Sequence, residues 1–121
     1  MTDSSAQALT AKKCVACEGG VPPVSRSDAE SLLRELPGWI LSSKADSIEK
    51  KWTVKDFVAG MEFLNRVADL AEQEQHHPDV HLTGYRHVSI QLSTHAIGGL
   101  SENDFILAAK INQLAVAAQK K

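Results

Sequence analysis

From Ser27 onward, hydrophobic positions recur alternately at helical and at strand spacing. Ser27-Asp28-Ala29-Glu30 has the form of a capping box, in which a hydroxyl and a later carboxylate satisfy orphan amides reciprocally. Leu32, Leu33 and Leu36 follow as a buried stripe, and Pro37-Gly38 stops the helix. Trp39-Ile40-Leu41 reads as a short strand and 42–47 as a polar turn region. The second strand is 48–54, with Ile48, Trp52 and Val54 on one face and Lys50 as its odd member. Thr53, with Asp56 three residues on, is expected to cap a long helix. Phe57, Met61, Leu64, Val67, Ala68 and Ala71 supply its 3.6-residue period. That helix should stop near Gln75 or His76, because Pro78 pushes His77 out of the helical region. A third strand covers 80–83, and Gly84 belongs to a tight turn. The clearest strand is 85–93, where Val88, Ile90 and Leu92 face one side and His87, Ser89, Gln91 and Ser93 the other. A loop over 94–100 contains Gly98-Gly99; Ser101-Glu102-Asn103-Asp104 then caps a last helix with Leu107, Ile111, Leu114, Ala115 and Ala118 as its stripe.

Helix, strand, strand, helix, strand, strand, helix is an α+β order. It predicts a four-stranded antiparallel sheet with three helices packed on one face. The other face carries histidine and polar residues, so it is either solvated or used. The chain has 121 residues and a mass of 13.1 kDa, enough for one core. Residues 1–26, rich in Ser, Ala, Gly and Pro, read as a flexible N-terminal lead, and 27–121 as the domain.

Net charge is -2, which argues against a nucleic-acid or membrane partner held by bulk charge. No apolar run approaches the roughly 18 residues of a membrane span. Met1 to Ala11 has no apolar signal region. Cys14 and Cys17 form one CxxC with no second pair, so neither a disulfide framework nor a zinc ribbon is expected. A reducing cytoplasm is the simplest compartment.

All five histidines lie between His76 and His95. His76 and His77 are adjacent and fixed by Pro78. Glu72, four residues before His76, is placed to accept a hydrogen bond from it. Two imidazoles in different surroundings can be tuned apart, one toward acid and one toward base. His95 follows a strand end and shares the side of His87 and Ser93, opposite the core. His81 and His87 are expected to face solvent or an interface. No HxH or HExxH spacing appears, so no metal is expected. No phosphate loop, dinucleotide fingerprint or nucleophile elbow is present.

Glu72, His76-His77-Pro78, Tyr85, His95 and Asp104, at these spacings, resemble the signature of the pterin-4a-carbinolamine dehydratases. The stretch 94–104, with Gly98-Gly99-Leu100 before the last helix, is also similar to that family. The resemblance covers about residues 27–118. It implies dehydration of 4a-hydroxytetrahydrobiopterin, or a related 4a-hydroxytetrahydropterin, to the quinonoid dihydropterin, with no cofactor. It further implies His76, His77 and His95 as the catalytic set, and Gln75, Ser93, Thr94 and Ala96 as residues lining the pterin site. Glu72 would orient His76, and Asp104 would cap its helix, contact the site, or do both. Either His76 or His95 would protonate the departing hydroxyl, with His77 taking the N5 proton. A homo-dimer or homo-tetramer and a functional link to an aromatic amino-acid hydroxylase are also implied. The alternatives are a homo-oligomeric interaction module of coactivator type and a pterin-handling role linked to molybdopterin enzymes. One departure is the sequence Asp79-Val80-His81 after the proline, where animal members place a Trp, with one extra residue before Tyr85.

Overall fold

The computed structural model describes residues 23–119, with side chains as far as residue 114. Cys14, Cys17 and most of the N-terminal lead lie outside the described residues, as do the side chains of Ala115 and Ala118. The elements are α1 (Arg26–Leu33), β1 (Ile40–Leu41), β2 (Ile48–Thr53), α2 (Phe57–Glu74), β3 (Asp79–Thr83), β4 (His87–Leu92), a 3-10 turn (His95–Ile97) and α3 (Glu102–Gln119). The sheet runs β1-β2-β4-β3 with every pairing antiparallel, the α+β arrangement expected.

Two-residue alternation sorts the sheet into a dry face and an open one. Ile48 and Trp52 of β2 and Val88, Ile90 and Leu92 of β4 are buried beneath the helices. Across the open face, Glu49, Gln91 and Asp79 stand in register, then Lys51, Ser89 and His81, then Thr53, His87 and Thr83. His81 and His87 are exposed there, as expected. Lys50 sits on the inward face yet carries a charge. Its ammonium, 5.2 Å from the Trp52 ring centroid, reaches out to donate to the Pro37 carbonyl (2.9 Å) and Asn112 Oδ1 (3.0 Å). Burial lowers its pKa from the usual lysine value. Asn112 Oδ1 also accepts from Trp39 Nε1 (3.0 Å). Trp39, Trp52 and Phe63 form a chain of edge-to-face contacts at 5.9 and 5.1 Å.

Several element ends differ from the sequence reading. Ser25, not Ser27, caps α1: its hydroxyl accepts from Asp28 N–H at 3.1 Å. Val24 N–H donates to Leu100 O at 2.8 Å, which ties the residues just before α1 to those just before α3. Asp56, not Thr53, caps α2 by accepting from Ala59 N–H at 2.8 Å, because Thr53 is still in the β2 ladder. β4 starts at His87 because Gly84 and Tyr85 both have positive φ (52° and 58°) and belong to the hairpin turn.

The buried stripe of α2 is also turned from the expected one. Gly60, Phe63, Val67, Ala71 and Glu74 face inward, whereas Phe57 and Met61 are 53% and 42% exposed and Ala68 is exposed. Two apolar stripes lie side by side on this helix, and period alone cannot choose between them. Gly60 decides it: a Cβ there would stand 3.1 Å from Leu82 Cδ1, so the missing side chain lets α2 close onto β3. Leu107 and Ile111 of α3 are buried as expected, but every residue from Asn103 to Ala109 is buried too. The start of α3 is therefore surrounded on all sides rather than striped. Among the described residues no helix is long and apolar enough to cross a membrane.

This orientation of α2 makes a stability prediction. Phe63→Ala should destabilise by about 3–5 kcal/mol. Glu62→Ala, one residue away on the exposed side, should stay within about 0.5 kcal/mol. Urea unfolding of both variants checks it; equal midpoints would mean that the inward face is misassigned.

Candidate active site

The site begins where α2 stops. Gln75 takes the left-handed conformation (φ 55°, ψ 38°), and its N–H and that of His76 (3.2 Å) both return to Ala71 O. Glycine is the usual residue in such a cap, and a side chain there costs roughly 1–2 kcal/mol. Gln75 Nε2 offsets part of this by donating to Glu72 O at 2.7 Å. The preceding Glu74, 7% exposed, is clasped to Lys110 of α3 at 2.6 Å.

The left-handed step sends the two histidines in different directions. His76 turns toward α3, where its Nε2 meets Asp104 Oδ1 at 2.6 Å; the side chains are 11% and 0% exposed. His77 turns back along α2, and its Nε2 meets Glu72 Oε2 at 2.7 Å in a pair open to solvent. Glu72 thus holds His77 rather than His76. The four-residue helical spacing does not apply to His76, which lies beyond the last helical residue.

Asp104 does two jobs. Its Oδ2 accepts from Ser101 N–H (2.9 Å), so it reaches back to cap the helix on which it sits. The same oxygen accepts from the Thr94 hydroxyl at 2.8 Å. Thr94 Oγ1 in turn lies 2.8 Å from Ser101 Oγ. Since the single Thr94 hydroxyl proton goes to Asp104, Ser101 is the donor of that second bond. Helix N-termini favour negative charge, so the position suits an aspartate.

His95 arrives by way of the hairpin. Asp79 at the start of β3 pairs with Gln91 near the end of β4, so the residues just before β3 and just after β4 meet at one end of the sheet. A shallow cleft of about 320 Å³ opens there, lined by Asp79, Gln91, Ser93, Thr94 and His95, with Asp46 and Ser47 on its far side. Its size is at the lower end for small-molecule sites. His95 and Ala96 are exposed on the 3-10 turn; Thr94 is buried, 5% exposed; Gln75 stays on the α2 cap. Tyr85 sits in the opposite turn of the hairpin, away from these residues. His87, at the start of β4, and the hollow ringed by Lys51, Thr53 and Thr83 lie toward that same end of the sheet. Asp46, Ser47, Asp79 and Gln91 were not singled out from sequence. Gln91 shares the parity of Ser93 and so was findable; Asp46 comes from a separate turn and gave no signal.

An ionised carboxylate only accepts hydrogen bonds, so His76 and His77 each present a proton on Nε2 to their acid and leave Nδ1 for other partners. That pairing can hold an imidazole in one tautomer and stabilise its charged form. Among the described residues, no group of three or more His, Cys, Asp or Glu is placed to hold a metal ion.

A family model described as pterin 4 alpha carbinolamine dehydratase matches residues 22–114. The chain is 50% identical over 111 residues to pterin-4-alpha-carbinolamine dehydratase 2, mitochondrial, of Arabidopsis thaliana; the match covers 89% of this chain and 59% of that protein's length. It is 46% identical over 106 residues to a protein of Halorhodospira halophila provisionally named pterin-4-alpha-carbinolamine dehydratase, covering 88% and 96%. The crystal structure of a transcriptional coactivator/pterin dehydratase from Brucella melitensis is similar with a TM-score of 0.72 and 31% identity, over 77% of this chain and 98% of that one.

The two histidine–carboxylate pairs should differ in what they contribute to stability. Asp104→Ala leaves a buried amide, a hydroxyl and an imidazole short of a partner and should cost about 1–3 kcal/mol. Glu72→Ala opens an exposed pair and should cost under about 1 kcal/mol. Chemical denaturation separates the two; similar losses would contradict the buried role of Asp104.

Proposed function

The chain belongs to the pterin 4 alpha carbinolamine dehydratase family, a family of hydro-lyases, and we propose that it dehydrates a 4a-hydroxytetrahydropterin to the quinonoid dihydropterin by histidine acid–base catalysis. The observation that carries this reading is the pair of adjacent histidines, each with its own carboxylate, at the end of the hairpin that also delivers His95. The substrate loses the C4a hydroxyl and the N5 proton. The C4a–O bond breaks, the C4a=N5 bond forms, and water leaves. One group must protonate the departing oxygen and another must take the N5 proton.

The surroundings of the three histidines suit a division of labour. His77 is exposed beside Glu72 and can exchange protons with solvent, which fits the base that takes the N5 proton. His76 is fixed by a buried aspartate, and His95 faces the cleft. Either can donate to the leaving oxygen. Ser93, which lines the cleft, and Ala96, next to His95 on the 3-10 turn, would bear on the pterin ring; Gln75 sets the cap from which both helix-end histidines depart. The chemistry asks for no metal or organic cofactor. The substrate must come from a hydroxylase that leaves a 4a-hydroxylated pterin behind, and the aromatic amino-acid hydroxylases are of this class.

A second reading is favoured by the name of the Brucella melitensis structure, which joins a coactivator role to the dehydratase one. Exposed apolar residues on both edge strands and on α2, Ile40, Val80, Phe57 and Met61 among them, would serve such an interaction module or a homo-oligomer. A protein that acts only through contacts tolerates loss of His76 and His77.

Stopped-flow absorbance decay of freshly made 4a-hydroxytetrahydropterin decides between these. With EDTA present, the wild type should speed the decay. His76→Ala, His77→Ala and His95→Ala should each lose on the order of 10²–10⁴-fold of that rate where the residue carries a proton in the transition state. A folded wild type no faster than buffer would refute the dehydratase reading. Dependence on added metal would refute its metal-free form.

A further inference from the structure

Thr94 stands between two of the histidines without being one of the acid–base groups. Its neighbours in the chain, Ser93 and His95, are half-buried and exposed, whereas Thr94 itself is 5% exposed. Its side chain points into the protein, where the hydroxyl donates to Asp104 Oδ2 at 2.8 Å and receives the Ser101 hydroxyl at 2.8 Å. The donor capacity of a threonine hydroxyl is one proton, and Asp104 takes it. A pterin could use that proton only by breaking the bond to Asp104.

The backbone of Thr94 is equally committed. It is extended (φ -119°, ψ 101°), and its N–H donates to Gly99 O at 2.8 Å. Its carbonyl accepts from Ile97 N–H at 3.2 Å, the first bond of the 3-10 turn on which His95 is mounted. Thr94 thereby closes the loop that presents His95 and, from the same residue, reaches the acid that holds His76.

We propose that Thr94 is a positioning residue rather than a pterin contact: its hydroxyl fixes Asp104 toward His76 while its backbone sets the turn carrying His95. The reason lies in the symmetry of a carboxylate. Either oxygen of Asp104 could serve His76, and the group could rotate between them. Two donors on Oδ2, the Thr94 hydroxyl and Ser101 N–H, lock it and leave Oδ1 aimed at His76 Nε2. Loss of the hydroxyl leaves one donor on Oδ2, and the orientation of His76 loosens with it. The kinetic part of this inference rests on the dehydratase reading; the orientation of His76 does not.

The test compares Thr94→Val, which keeps the branched shape without the hydroxyl, with Thr94→Ser, which keeps the hydroxyl. The first readout is the side-chain ¹⁵N spectrum of His76, assigned with a His76→Gln control. Wild type and Thr94→Ser should show the tautomer protonated on Nε2, and Thr94→Val a mixture. The second readout is steady-state kinetics on a 4a-hydroxytetrahydropterin. Thr94→Val should lower kcat about tenfold, the size of one charge-assisted hydrogen bond, with KM nearly unchanged, and Thr94→Ser should restore most of it. A raised KM at unchanged kcat would make Thr94 a substrate contact and overturn the proposal. A wild-type His76 spectrum in Thr94→Val would overturn it as well. If the wild type has no dehydratase rate, that reading fails, and the spectra still decide the role of Thr94. Should Thr94→Val not fold, Thr94→Ala, which also removes the hydroxyl and leaves Ser101 N–H as the one donor on Oδ2, is read the same two ways. An unchanged His76 spectrum in that variant overturns the proposal.

Discussion

A carboxyl group with no exposure to water must have its hydrogen-bonding needs met inside the protein, and Asp104 is such a group. Four partners converge on it or its neighbours: Ser101 N–H, the Thr94 hydroxyl, the Ser101 hydroxyl behind that, and His76. Meeting those needs fixes the start of α3, the end of β4 and the exit from α2 relative to one another. Stability and chemistry are joined here, because the interactions that prevent an unsatisfied buried acid are the ones that orient the imidazole. Among the described residues no buried side-chain nitrogen or oxygen lacks a partner, so the arrangement is fully connected.

The neighbouring histidine is held under the opposite regime. His77 and Glu72 meet in water, where a pair is weak and its geometry yields easily. One imidazole is therefore rigid and shielded, its neighbour adjustable and wet, although a single peptide bond separates them. The left-handed Gln75 makes that possible. A continuing helix would have carried the two rings around one cylinder; the reversed turn splits their paths. Strain of this kind persists only where surrounding contacts over-determine it, and the Glu74–Lys110 clasp and the Asp104–His76 bond on either side do so.

Much of this was legible in the sequence, and the failures are informative. Alternating Val88, Ile90 and Leu92 gave the central strand and its inward face, and the breaks at Gly84 and Pro78 gave the strand and helix order. The histidines, Asp104 and their spacing pointed to the family through a likeness to its signature. What sequence could not show was pairing. Glu72 was assigned to His76 on helical geometry, but the helix ends at Glu74, two residues before His76, too soon for that to hold. Thr94 shares the inward parity of Val88, Ile90 and Leu92, but nothing in that alternation says that its hydroxyl meets Asp104. On α2, the choice between two adjacent apolar stripes was settled by a glycine against Leu82, a tertiary contact invisible to any local pattern.

The position of α3 bears on how the molecule is made. Its opening turns, Phe105 to Ala109 above all, supply the centre of the core and are surrounded on all sides, yet they follow every strand in chain order. A nascent chain leaving the ribosome exposes the inner face of its sheet until those residues emerge. The bond joining Trp39 to Asn112 spans 73 residues and can close only then. His76 likewise waits for an acid 28 residues downstream. The interval between synthesis of β4 and synthesis of α3 is thus when the polypeptide most needs protection from aggregation, and its site comes into being in the same step that ends that exposure.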